Sequence, residues 1–176
     1  APSVAPRLDY ARLRRMAIAS LHAALACSPK PGLLTPFDPG THHDIDAVPL
    51  LRSLFALRHY FPAIACSGPD DAPFATLRAH GLAAEAAMLR ATGGINTHRG
   101  AIFSLGLLVA AAARCHRQLG HAAPAAQVCL AVQHWAEDFA AAPPDANSPG
   151  QRARRHHGVQ GVREQAAAGY PVLRDL

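Results

Sequence analysis

The chain has 176 residues, enough for one domain with a real core and too few for two full ones. Hydrophobic residues make up 50% and charged residues 16%, which excludes a disordered or tail-like protein. Seventeen basic residues against twelve acidic ones give +5, which suits an anionic partner such as a nucleotide, but no aromatic-interleaved basic patch points to nucleic acid.

The first predicted element covers residues 9–27. Arg12-Leu13-Arg14-Arg15 followed by an apolar stretch to Cys27 has the outline of a signal peptide, but His22 interrupts it. Leu13, Ala17, Leu21, Ala24 and Leu25 recur at helical spacing behind Asp9 as N-cap, so an amphipathic helix is the better reading. A second helix is predicted over 47–60, with Leu50, Leu51, Leu54, Phe55 and Leu57 as its stripe and Pro62 bending or ending it. A third starts from Pro69-Asp70-Asp71-Ala72-Pro73 and runs to about Arg90, turning Phe74, Leu77, Leu82, Met88 and Leu89 inward.

A fourth runs from near Gly100 to Leu119. It holds the longest apolar run, Ala101 to Ala113, which is too short for a bilayer and reads as a buried central helix; no membrane association is expected. A fifth opens at Pro124 and stops before Ala142-Pro143-Pro144, and a last one covers Val162–Ala168, closed by Gly169. No stretch alternates with period two, so the fold class is all-α: a single multi-helix domain over residues 1–176 with no internal repeat. The cysteines 27, 66, 115 and 129 include no CxxC pair, which excludes a zinc knuckle and makes a disulfide scaffold improbable. A reducing cytoplasm is the expected compartment, with Cys27 and Cys115 buried as free thiols.

Two loops carry chemistry. Lys30, the sole lysine, stands between Pro29 and Pro31, a flexible cation on a stiff base that suits a phosphate contact. The same loop continues through His42, His43, Asp44 and Asp46. The two carboxylates could bind magnesium together with substrate phosphates, although Asp46 could equally be an N-cap. In the second loop Gly93-Gly94 lets the backbone come close to a ligand, and Asn96, Thr97, His98 and Arg99 supply donors at the positive end of the next helix. Such a turn can also be plain punctuation. Glu85 shares a helical stripe with Met88 and Thr92 that leads to this loop; partly desolvated by alanines, it suits acid or base work, although an exposed face would also explain it. Arg163 adds positive charge in a glycine-punctuated segment near the end.

The blocks Ser-Pro-Lys-Pro-Gly-Leu at 28–33, Gly-Thr-His-His-Asp-Ile-Asp at 40–46, Leu-Arg-Ser-Leu at 51–54, and Gly81 through Glu85 and Met88 occur in order. They are followed by Ala-Thr-Gly-Gly-Ile-Asn-Thr-His-Arg-Gly-Ala-Ile-Phe-Ser-Leu-Gly-Leu at 91–107. Across residues 25–171 the chain resembles the triphosphoribosyl-dephospho-CoA synthases. Leu-Phe-Ala-Leu-Arg-His-Tyr-Phe at 54–61 is most similar to the branch serving malonate decarboxylase rather than citrate lyase. The resemblance implies a transferase that joins the triphosphoribosyl group of ATP to the 2′-hydroxyl of 3′-dephospho-CoA with release of adenine; Mg2+ as cofactor and a cytoplasmic location are expected from the carboxylates and cysteines above.

Glycosyl transfer of this kind needs a base for the hydroxyl, a proton for the departing adenine and cations on the triphosphate. The candidates are Glu85, His98 and His42 for proton transfer and Asp44 and Asp46 for the metal. Lys30, Gly93, Gly94, Asn96, Thr97, Arg99 and Arg163 are the candidates for binding substrate. Leu34-Thr35-Pro36 departs from the polar or charged pair usual in the family, and the acidic residue often found ahead of Pro-Lys-Pro-Gly is missing. The chain reads as the N-terminal portion of a longer family domain. Two alternatives stay open: a catalytically silent nucleotide-binding remnant, and a magnesium-dependent hydrolase of the ribosyl bond.

Overall fold

A computed structural model of the chain describes residues 8–27, 47–141 and 160–175, and all regular structure among them is helical. The elements are α1 (Tyr10–Ala26), α2 (Ala47–Leu57), α3 (Tyr60–Ser67), α4 (Phe74–Ala91), α5 (Arg99–Leu119) and α6 (Ala125–Ala131). A 3-10 turn (Val132–Trp135), α7 (Ala136–Ala141), α8 (Val162–Ala167) and α9 (Pro171–Arg174) complete them. The fold is all-α. No helix of the described residues is long and apolar enough to cross a membrane.

Asp9 starts α1 as expected. Its Oδ1 accepts from the Arg12 amide at 2.9 Å, a bond that holds the carboxyl below its ordinary pKa. Ala17, Leu21 and Leu25 then face the core. Cys27 lies just past that face and is exposed, against the expected burial, whereas Cys115 is buried with Cys129.

The helix expected over 47–60 is two helices. α2 stops at Leu57 and α3 begins at Tyr60, which puts Pro62 in the first turn of α3. A missing N–H costs little there, because the first amides of a helix have no partner within it. Tyr60, Phe61, Ile64 and Ala65 of α3 are all buried. The apolar stripe of α2 is wider than the face it buries: Leu54 and Leu57 go in, while Leu51 is exposed and Phe55 is 69% exposed. Leu82 of α4, expected inward, is 50% exposed, because α4 packs through Phe74, Leu77, Ala84 and Met88.

α5 is the central helix. It packs on α1, α3, α4, α6, α8 and the 3-10 turn, and buries Ile102, Gly106, Leu107, Val109, Ala110, Ala111, Ala113 and Cys115. Small residues bring α3 very near: a Cβ on Gly68 would stand 2.2 Å from the Ala110 carbonyl oxygen. Tyr60 crosses the same gap and donates its hydroxyl to Ile102 O at 2.8 Å. The turn into α4 is fixed from two sides. Asp71, at φ 50°, pairs with Arg114 of α5, and Trp135 Nε1 donates to Ala72 O at 3.0 Å. The helix expected from Pro124 to residue 141 is broken by the 3-10 turn, which places Val132 and Trp135 in the core. Near the end, Gly169 at φ 72° turns the chain so that Tyr170 is buried, and Pro171 opens α9, a short helix absent from the sequence reading.

Candidate functional site

The stretch that joins α4 to α5, residues 92–98, is a built structure. Thr92 closes α4: its amide donates to Met88 O at 3.0 Å, and its buried Oγ1 lies 2.6 Å from Ile95 O. Gly94 N then donates back to Leu89 O at 2.7 Å. Gly93 and Gly94 take φ 68° and 93°, values that L side chains rarely adopt. Among the described residues a Cβ on either would meet nothing within 4 Å, so these glycines serve the backbone turn rather than a close approach to a neighbouring element.

Asn96 is partly committed to the helix itself. Its Oδ1 accepts from Arg99 N at 3.1 Å, so the first amide of α5 is satisfied from within the chain rather than left for a ligand. Thr97 Oγ1 lies 3.2 Å from His98 Nδ1. His98 is buried. Its amide points at Met88 Sδ at 3.2 Å, and its Nδ1 meets Ser53 Oγ of α2. Burial pushes the imidazole pKa below its ordinary value, because a charged ring would lose hydration there. His98 is therefore neutral at physiological pH and able to accept a proton.

One turn earlier on α4, Glu85 forms an ion pair with Arg99 at the start of α5. The carboxylate side chain is 19% exposed. The stripe from Glu85 through Met88 to Thr92 does run toward the loop, as its spacing implies. Of the candidate residues, Glu85, Gly93, Gly94, Asn96, Thr97, His98 and Arg99 come together here. Arg163 sits in α8, which packs on α7, the 3-10 turn and α5. Lys30, His42, Asp44 and Asp46 lie outside the described residues, so the expected meeting of the 28–46 and 91–100 loops is seen from one side only. α2 begins at Ala47, and at about 1.5 Å rise per residue Ser53 lies about 9 Å along its axis. Among the described residues no group of three His, Cys, Asp or Glu side chains is placed to hold a metal ion.

Ser53 is the residue that sequence reasoning missed. It is fully buried, and Oγ also donates to Leu50 O at 2.8 Å. The signal was present: a hydroxyl set among Leu50, Leu54 and Leu57 on the apolar face of a helix must find a partner.

Residues 10–176 match the family described as ATP:dephospho-CoA triphosphoribosyl transferase. A probable 2-(5''-triphosphoribosyl)-3'-dephosphocoenzyme-A synthase of Acinetobacter calcoaceticus is 34% identical over 168 residues, 94% of this chain and 57% of that protein. The synthase of Klebsiella pneumoniae is 38% identical over 166 residues, 88% of this chain and 58% of that protein. A probable synthase of Azotobacter vinelandii is 37% identical over 172 residues, covering 94% and 58%. The chain thus spans a little over half the length of the curated relatives it matches. No solved structure gives a significant match. The loop and both helices that frame it fall inside the matched region, and the chain belongs to the ATP:dephospho-CoA triphosphoribosyl transferase family.

Proposed function

We propose that this chain carries the site at which the triphosphoribosyl group of ATP is transferred to the 2′-hydroxyl of 3′-dephospho-CoA. The oxygen attacks the anomeric carbon of the ATP ribose. The bond from that carbon to the adenine nitrogen breaks with its electron pair, adenine takes up a proton, and the hydroxyl gives one up. The observation that carries this reading is the convergence on one loop of a buried neutral imidazole, His98, and a carboxylate–guanidinium pair, Glu85 and Arg99.

A neutral imidazole suits the base, a carboxylate paired with an arginine suits a proton relay, and an arginine suits the triphosphate. Lys30 is the second cation for the phosphates, and His42 is the alternative proton carrier. Gly93 and Gly94 give the substrate room, with Asn96 and Thr97 as polar contacts, and Arg163 is a further anion contact. Asp44 and Asp46 supply hard oxygen donors of the kind Mg2+ takes beside phosphate, and would hold it to neutralise triphosphate charge. The substrates argue for a cytoplasmic protein. The segment 54–61 supports malonate decarboxylase as the destination of the product; Leu54, Leu57, Tyr60 and Phe61 within it are core residues, whereas Phe55 and His59 are exposed.

Incubation of the chain with ATP, Mg2+ and dephospho-CoA tests the reading through adenine release. Adenine with a coupled product supports the transferase. Adenine without it indicates ribosyl-bond hydrolysis. ATP binding with no adenine indicates a nucleotide-binding unit without turnover.

A further inference from the structure

Ser53 and His98 belong to elements far apart in sequence, α2 and the entry to α5, yet their side chains meet in the interior. Which atom donates follows from counting protons. A serine hydroxyl has one, and Ser53 Oγ lies 2.8 Å from Leu50 O, in position to give it there. The oxygen then faces His98 Nδ1 with its lone pairs, an arrangement that suits a ring proton on Nδ1. The opposite assignment takes the Ser53 proton away from Leu50 O to satisfy Nδ1. Met88 Sδ takes the His98 amide from α4, and Thr97 Oγ1 lies beside the ring at Nδ1.

We propose that Ser53 is a positioning residue: it accepts the Nδ1 proton of His98 and so holds the imidazole in the tautomer whose Nε2 lone pair is open to take a proton from substrate. This deepens the transferase reading and rests on it for the identity of the substrate hydroxyl, but the tautomer itself is a property of the protein alone. Free histidine prefers the proton on Nε2, so the proposed state is one the fold must impose. Orientation of a base through the hydrogen bond on its far nitrogen is a general device, because the tautomer decides which nitrogen can react.

The test is nitrogen NMR of the whole chain labelled with 15N-histidine at neutral pH, with the His98 signals assigned by their loss in His98→Gln. The expected result is a protonated, pyrrole-type Nδ1 and a bare, pyridine-type Nε2. In Ser53→Ala the pattern shifts toward the free-histidine preference, and Ser53→Thr, which keeps a hydroxyl, retains it. A proton on Nε2 in the parent overturns the proposal without any variant, and so does an unchanged pattern in Ser53→Ala.

Adenine release provides the second readout. Ser53→Ala lowers kcat about tenfold or more with KM for ATP held, and the double variant is no slower than His98→Gln alone. Independent, multiplying losses would overturn the coupling. If the parent releases no adenine, the transferase reading fails, and the NMR result still decides the role of Ser53.

Discussion

Replacing Gly106 with alanine tests the contact that sets α5 against α3, the packing on which the loop's position depends. A Cβ there would stand 1.9 Å from Tyr60 Oη, 2.8 Å from Tyr60 Cζ and 3.2 Å from Ile64 Cδ1. Tyr60 cannot simply swing aside, since its ring is buried and its hydroxyl is bonded to Ile102 O. Overpacking of this kind costs about 1–3 kcal/mol. Loss of the Tyr60 bond adds about 0.5–1.5 kcal/mol, and the better helix propensity of alanine returns about 0.5–1 kcal/mol. The net loss is about 2 kcal/mol, which lowers Tm by about 4–8 °C in a chain of this size. Gly81→Ala is the control. Its nearest neighbours, Ile102 Cγ2 and Tyr60 Oη, are each 3.9 Å away, an ordinary contact, so only the helix gain remains and Tm rises. Circular dichroism melts read both. Tyr60→Phe in the Gly106→Ala background removes the most crowded atom but leaves the ring, so the pair falls short of additivity by about 1 kcal/mol. A Gly106→Ala protein that melts like the parent refutes this account of the α3–α5 contact.

The remaining predictions concern the site and the thiols. His98 has a lowered pKa when folded, so the unfolded chain binds the extra proton first; the stability this residue contributes is intact above its ordinary pKa of 6.5 and is lost as pH falls below it. Urea titrations from pH 8 to 5 should show a slope up to about 1.4 kcal/mol per pH unit steeper in the parent than in His98→Gln, and equal slopes would remove the burial argument. Glu85→Gln keeps an oxygen for Arg99 and the helix propensity, so calorimetric ATP affinity should hold while adenine release falls roughly 10²-fold. Asp44→Ala should instead weaken ATP binding and recover in part with added Mg2+; a reversal of the two results reverses the roles. A thiol reagent on the native chain should modify Cys27 and Cys66 and spare Cys115 and Cys129, whose pKa values burial pushes up; reaction at all four would contradict the described core.

The helices were legible where sequence carries strong local signals. Asp9 as a cap, the proline-rich lead into α4 and the small apolar run of α5, which only Ser104 interrupts, are each local in the chain, so they can be read without knowing the partners. What could not be read was set by neighbours. The Leu51–Phe55 side of α2 and Leu82 of α4 have core-like sequence, but helical spacing says only that residues share a face, not that something covers it. Pro62 reads as a bend or an end because a proline's cost depends on its position within a helix, and the start at Tyr60 is stabilised by tertiary burial of Tyr60, Phe61 and Ile64 rather than by any capping side chain.

The same distinction runs through the site. Gly93, Gly94, Asn96 and Arg99 could be picked out because glycine pairs and amide-rich turns have chemistry of their own, yet the chain turns part of that chemistry on itself: Asn96 on the first amide of α5, Arg99 on Glu85. What remains directed outward is decided by that internal pairing. His98 shows the consequence most clearly. As a histidine before a helix it was one candidate among eleven histidines in the chain. Its particular character comes from Ser53, which lies 45 positions earlier and carries no chemical signature beyond being a hydroxyl on an apolar face. If the proposed tautomer holds, an imidazole that gives its Nδ1 proton to Ser53 keeps Nε2 for a further partner, so the burial of Ser53 in α2 would decide which ring atom the α4–α5 loop presents.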